Sequence, residues 1–295
     1  MTDFGAGGRL RAAGAVARRQ AFSRISYWIL LLATVLPLGL LLYLGYDTIS
    51  EGWSRMDWDF LTSYPSRKAE QAGIRSSILG LVWVLGLTIA IAIPIGIGTA
   101  IWLEEFAPKN RLTALVKLNI SNLAGVPSII YGILGLTVFV RGAGFGPTIL
   151  SGALVLALMI LPMIVITSQE ALRQVPPSIR EGSLALGATR WQTVWFHILP
   201  GAMPGIMTGT VFAISRAAGE TAALIMIGAS AFVAYDNTSV FEDFTTIPIQ
   251  IYNWTLRPTG QGFQPNASAA IVALMIGVIA LNAVAVVIRE RFRRD

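Results

Sequence analysis

Two ionisable side chains stand inside an apolar run. The stretch ISRAAGETAAL puts Arg216 and Glu220 near the middle of residues 203–233. Each charge costs roughly 2.5–3.5 kcal/mol on insertion scales, and such groups usually mark a pathway or a site. Four residues apart on one helix, the two share a face and can pair. One reading is a buried ion pair that fixes helix orientation. The other is a fixed cation along the path of an anion, held in place by Glu220. A net-neutral pair does not itself attract an anion, so the second reading requires Arg216 to keep free donors or to be released by a conformational change.

The chemistry open to this chain is binding, not bond-making. Cysteine is absent and His197 is the single histidine, which removes a thiolate nucleophile, a disulfide framework and a histidine-based metal site. A phosphate-binding nucleotide loop needs Gly-Lys-Ser/Thr. The three lysines, Lys68, Lys109 and Lys117, follow Arg67, Pro108 and Val116, so none fits.

A second polar stretch, EALRQVPPSIREGSLALGATRWQTVWFHILP over residues 170–200, separates two apolar runs. Ser178 and Glu181 stand three apart after Pro176 and Pro177, which reads as a capping box and predicts a short helix over residues 179–186. Gly187 fits the left-handed position that ends a helix. Thr189 and Gln192 repeat the capping pattern. Trp191, Val194, Trp195 and Ile198 then recur on one helical face, and Leu199-Pro200 closes the unit. The unit is either an amphipathic loop packed on its own bundle or a docking element.

The elements that position these groups are membrane helices. Of 295 residues, 54% are hydrophobic and only 13% charged, with mean hydropathy +0.65, which excludes a soluble domain. Apolar runs cover residues 27–46, 78–102, 118–140, 148–167, 203–233 and 267–288, each long enough to span a bilayer. The third is punctuated by Asn119, Ser121, Asn122, Ser128 and Tyr131, which should face the bundle or a wet pathway. Residues 1–25 form a basic tail with five arginines. Residues 26–73 hold a retained first span and an outer loop. Residues 74–290 form the main transmembrane domain, including the loop 168–200, and residues 291–295 a second basic tail.

Both ends are arginine-rich, and the two longest outside loops are each net acidic. Six crossings with both termini in the cytoplasm therefore satisfy the positive-inside rule, and the net charge of +6 reads as topology rather than nucleic-acid binding. Within the second acidic loop, Ile247, Ile249 and Ile251 alternate ahead of Tyr252 and Trp254, a segment expected at the interface or packed on the bundle.

Glu181, Gly187 and Leu199-Pro200 sit at the spacing of the Glu-Ala-Ala…Gly…Leu-Pro loop of importer-type ABC permeases. Gly182-Ser183 replace the two alanines, and His197 stands where an aliphatic residue is usual. GVPSIIYG (residues 125–132), SRAAGETAAL (215–224) and IPIQIYNW (247–254) together resemble the permease subunits of phosphate-specific ABC importers. The last stretch favours the PstA type over the related PstC type. The similarity covers about residues 74–290.

The resemblance implies an all-α polytopic fold of about six transmembrane helices in the inner membrane, the type I ABC importer permease. It implies that Arg216 and Glu220, with Ser128 and Tyr131, line the substrate pathway. It further implies that Ser178, Glu181, Gly187, Thr189, Trp191, Leu199 and Pro200 belong to the loop seated on an ATPase. The implied partners are a PstC-like permease, a PstB-like ATPase dimer carrying ATP and Mg, a periplasmic PstS-like phosphate-binding protein and the lipid bilayer. No cofactor is implied for this chain. A permease for sulfate, molybdate or tungstate, or an ion-coupled secondary transporter, remains open at this stage.

Overall fold

In the computed structural model, which describes residues 6–293, the long apolar runs are helical. Hydrocarbon offers no partners to the backbone, so a spanning segment must satisfy its N–H and C=O groups internally. Among the described residues no strand forms; one isolated bridge joins Thr148 to Asp243.

Helix α1 (Ala6–Gly52) makes a compact unit by itself up to Glu51. Its apolar stretch from Phe22 is long enough to cross a membrane, and its leucines from Leu30 to Leu44 are exposed.

The second unit begins at Gly52. A short helix α2 (Trp58–Thr62) precedes α3 (Arg75–Ile101), which runs on as a π-helical segment Trp102–Phe106. Next come α4 (Arg111–Ala124) and α5 (Ser128–Gly135), the latter extended by a π-helical segment Leu136–Gly142. Helix α6 (Ile149–Arg173) is the central element. It packs along α3 and α9 (Leu199–Ala218), and its face from Ile149 through Ile164 to Leu172 is buried. The approach of α9 is close: a Cβ on Gly209 would fall 2.1 Å from Thr167 Oγ1, so no larger residue fits that crossing without a shift.

Between α6 and α9 lie α7 (Pro177–Ala185), α8 (Arg190–Thr193) and a π-helical segment Val194–Ile198. After α9 come α10 (Ala222–Met226), α11 (Ile247–Thr255) and α12 (Gln264–Arg293). The alternating isoleucines at the start of α11 are helical, with Ile247 and Ile249 buried against α3 and α12. Trp254 is enclosed between Phe60 and Phe263, at ring distances of 6.0 and 6.2 Å. Residues 56–74 thereby pack with the main unit.

Five described helices are long and apolar enough to span, and a sixth span is formed if a bent pair counts as one. That pair corrects the expected continuous third span. The chain turns by 102° between α4 and α5. The cause is the Gly125-Val126-Pro127 link: proline disfavours helix in the residue before it and has no N–H to continue the ladder. The expected fifth span, residues 203–233, is corrected as well. Its helix stops at Ala218, with Gly219 at the C-cap.

Candidate transport path and coupling segment

Arg216 lies in the last turn of α9, whereas Glu220 lies beyond it. The expected pairing along one helix face is therefore not formed. Glu220 Oε1 instead accepts from Ala223 N, in the first turn of α10, at 3.1 Å. Among the described residues Arg216 takes part in no ion pair, and its side chain is exposed on the surface of this chain. The neighbouring Ser215 anchors α9 to α12 through its Oγ, 2.7 Å from Asn282 Oδ1. The helix stop was legible: Gly219 followed by Glu220-Thr221 is a C-cap running into a new N-cap.

Tyr131 is buried, and its Oη donates to Leu123 O at 2.8 Å across the α4–α5 break. Helix α5 packs on α10, where a Cβ on Gly132 would fall 2.8 Å from Ala223 O, so the broken helix lies against the segment that follows α9. Ser128 opens α5 and is half-buried. Its place at a helix N-terminus puts the positive end of a helix dipole there. The other polar groups of the third span turn outward. Asn119, Ser121 and Asn122 are exposed, and the first two bond to their own helix, Asn119 Nδ2 to Leu115 O at 2.9 Å and Ser121 Oγ to Lys117 O at 3.1 Å. Helix α4 buries no residue within this chain. Of the two expected placements, the bundle or a wet pathway, Asn119, Ser121 and Asn122 do not take the first within this chain.

The segment between α6 and α9 folds as two short helices joined at Gly187. Ser178 is not an N-cap. Pro176 holds that position with no side-chain bond, and α7 starts at Pro177. A proline at the first helical position loses nothing by lacking an N–H and has its φ preset, so it overrides the Ser178–Glu181 pattern. Glu181 is exposed. Gly187 has φ +88°, Ala188 N donates to Ser183 O at 3.2 Å and Gly187 N to Leu184 O at 3.0 Å. That is a Schellman ending, which requires the left-handed residue. The Thr189–Gln192 capping box is present: Thr189 N donates to Gln192 Oε1 at 2.8 Å and Gln192 N to Thr189 Oγ1 at 3.3 Å.

Ser183 Oγ and Thr193 Oγ1, both buried, meet at 3.0 Å and tie α7 to α8. The apolar stripe divides. Val194 and Ile198 enter the core with Leu103, Leu172 and Ala202, whereas Trp191 and Trp195 stack on each other at 5.6 Å and stay exposed. Leu186, at the tip, is 91% exposed. Leu199 and Pro200 form the first turn of α9. Beneath the tip lies a cavity of about 660 Å³ lined by Glu104, Glu105, Arg173, Arg180 and Arg190.

The chain thus combines spanning helices packed around α6, a broken helix, and a two-helix connector with an exposed apolar tip, an architecture suited to a membrane subunit that works against other proteins. The chain belongs to the family of binding-protein-dependent transport system inner membrane components, which matches residues 92–295. A probable ABC transporter permease, YqgI of Bacillus subtilis, is 34% identical over 79% of this chain and 83% of its own length. The phosphate transport system permease PstA 1 of Mycobacterium tuberculosis is 33% identical over 84% of this chain and 82% of its own. Among solved structures, a bacterial alginate ABC transporter superposes with TM-score 0.66 at 16% identity, covering 90% of this chain and 94% of that one. The MetNI methionine ABC transporter superposes with TM-score 0.56 at 19% identity, covering 72% and 94%. These structural likenesses establish the fold of a type I importer permease. The chain is an ABC importer permease.

Proposed function

We propose that this chain imports inorganic phosphate as one of two permease subunits, with transport driven by ATP hydrolysis in a partner ATPase dimer that holds ATP and Mg. The observation that carries the reading is the unpaired Arg216, in a chain whose relatives include phosphate permeases at 33% identity over most of their length. A guanidinium offers a rigid fork of donors suited to a phosphate oxyanion. Glu220 is engaged by Ala223 N, so the cation stays available.

In this reading a periplasmic phosphate-binding protein delivers the anion to the outer mouth. This chain and a PstC-like permease enclose the path between them. The outward polar face of α4, with Asn119, Ser121 and Asn122, supports that placement: such groups avoid lipid and suit a wet, shared path. Ser128 at the start of α5 adds a hydroxyl and a helix N-terminus to the same path. The segment Ser178, Glu181, Gly187, Thr189, Trp191 seats on the ATPase, with Leu199-Pro200 leading the motion into α9. Both termini lie in the cytoplasm.

The test is labelled-phosphate uptake in cells lacking their own high-affinity phosphate permease, supplied with this chain and its neighbouring subunits, with sulfate and molybdate as competitors. Saturable, ATP-dependent phosphate uptake indifferent to the competitors is expected. Uptake of another oxyanion by the assembled complex would keep the permease and discard phosphate.

A further inference from the structure

The π-helical end of α3 carries two adjacent carboxylates that serve different neighbours. Glu104 takes Arg173 at the end of α6, with Nε to Oε1 at 2.8 Å and Nη2 to Oε2 at 3.1 Å, and Lys117 of α4, with Nζ to Oε2 at 3.0 Å. Glu105 takes Arg180 of α7 through a two-point contact, with Nε to Oε2 at 3.2 Å and Nη2 to Oε1. The Glu105 side chain is only 7% exposed. Among the described residues this is the one ion pair between α7 and a spanning helix.

A buried carboxylate is tolerated only when paired and hydrogen-bonded. Among the described residues Arg180 is the one cation bonded to Glu105. If α7 moved while α3 stayed, Glu105 would be stranded without its counter-charge; if both moved together, nothing would be lost. The rest of α7 meets mainly α8 and the following π-helical segment, and its Ile179 and Leu184 are exposed. Helix α3, by contrast, stays helical from Arg75 through Pro94 and its π-helical end to Phe106. Its Ala100 and Leu103 pack with Val194 and Ile198, and its far end, Arg75, is bonded to Asp236 in the opposite loop.

We propose that Glu105 and Arg180 are a positioning pair that makes α3 move with α7, so that displacement of the coupling segment reaches the opposite side of the membrane through α3 as well as through α9. Glu104 supplies the second half of the device, holding α3 to the middle of α4 and the end of α6. The inference rests on the coupling reading above and deepens it.

The experiment uses the reconstituted complete transporter and measures substrate uptake and ATP hydrolysis on the same vesicles. Glu105→Gln is expected to assemble with the other subunits and to hydrolyse ATP, with uptake per ATP reduced about tenfold or more. The charge swap, Glu105→Arg with Arg180→Glu, is expected to recover at least half of the native ratio. Because the chain has no cysteine, Glu105→Cys with Arg180→Cys can also be bridged by a short thiol-reactive linker, and bridging is expected to restore uptake lost in the unbridged pair. An unchanged ratio in Glu105→Gln, a swap no better than the single variants, or a bridge that blocks transport would overturn the proposal. A Glu105→Gln complex that fails to assemble while the swap assembles uncoupled would overturn it too. A native complex that hydrolyses ATP without importing any oxyanion would instead defeat the reading on which the proposal rests.

Discussion

The Tyr131 hydroxyl donates to Leu123 O at 2.8 Å, closing the gap where the chain turns by 102° between α4 and α5. Leu123 lies in the last turn of α4, where backbone carbonyls lose their helical partners. Leu123 O already accepts from Val126 N at 3.1 Å, so the phenol adds a second, side-chain bond to that carbonyl and ties α5 to the end of α4 across the break. Tyr131→Phe keeps the ring and removes the bond, at a cost of about 0.5–1.5 kcal/mol. Assembly is expected to survive while phosphate uptake falls severalfold, and hydrogen exchange of residues 123–131 should quicken. Unaltered exchange would remove the strap from the account.

Arg216 and Glu220 separate into different jobs. Arg216→Gln strands no buried acid, because Glu220 bonds Ala223 N. The complex is expected to assemble and to lose phosphate uptake, and misassembly would mean that Arg216 acts in folding.

Glu220 tests a different relation. Glu220→Gln retains an oxygen that can accept from Ala223 N, so uptake is expected to stay within a few-fold of native. Glu220→Ala removes the bond to Ala223 N, worth about 0.5–1.5 kcal/mol, and is expected to lower uptake strongly. Equal, severe losses in both variants would show that the charge, not the bond, is required.

Much of this architecture is legible in the sequence, for definite reasons. Long apolar runs leave the backbone no option but helix, so the spans of α3, α6 and α12 are found within a few residues. The glycine stop at Gly187 and the Thr189–Gln192 box are local patterns, and both form as read. Two local patterns were outweighed by proline and glycine. Pro177 displaced the Ser178 cap, and Gly219 ended the helix expected to carry Arg216 and Glu220 together. Tertiary relations were not legible. Glu104 and Glu105 read as an ordinary charged loop, because nothing local announces that Arg173 and Arg180, some seventy residues on, will meet them. The outward exposure of Asn119 and Ser121 was hidden for a related reason: polarity marks a wet face without saying whether the face belongs to one chain or two.

Gly187 provides a test of the connector that leaves the spans untouched. At φ +88° a side chain is strained, by roughly 1–2 kcal/mol for the left-handed region. Open space surrounds the position, so the effect is conformational and not steric. Gly187→Ala is expected to weaken co-purification of the ATPase, and Gly187→Val to weaken it further. Asn, which tolerates the left-handed region better, should behave closer to native. Identical losses for Ala, Val and Asn would point to a contact at the tip instead of its backbone shape.

At the opposite end of α3, Arg75 and Asp236 form a surface tie, with Arg75 Nε 2.9 Å from Asp236 Oδ1. Hydrogen bonds from Arg75 first, and then from Tyr64, hold the Asp236 carboxyl below its ordinary value. A carboxyl lowered in the folded state contributes fully above its unfolded value, about 3.9, and loses that contribution as pH falls through the lower folded value. The tie is therefore expected to be indifferent to pH from 7 down to about 4 and to open only in stronger acid. A spin label on Phe241→Cys, an exposed position in the same loop, reports this directly. Its mobility should stay constant over that range and rise below it, while Asp236→Asn should be mobile throughout. A transition near pH 6 would show that some other group governs the loop, and an immobile label in Asp236→Asn would show that the Ser76 and Trp83 bonds to Val233 and Asn237 hold it without the ion pair.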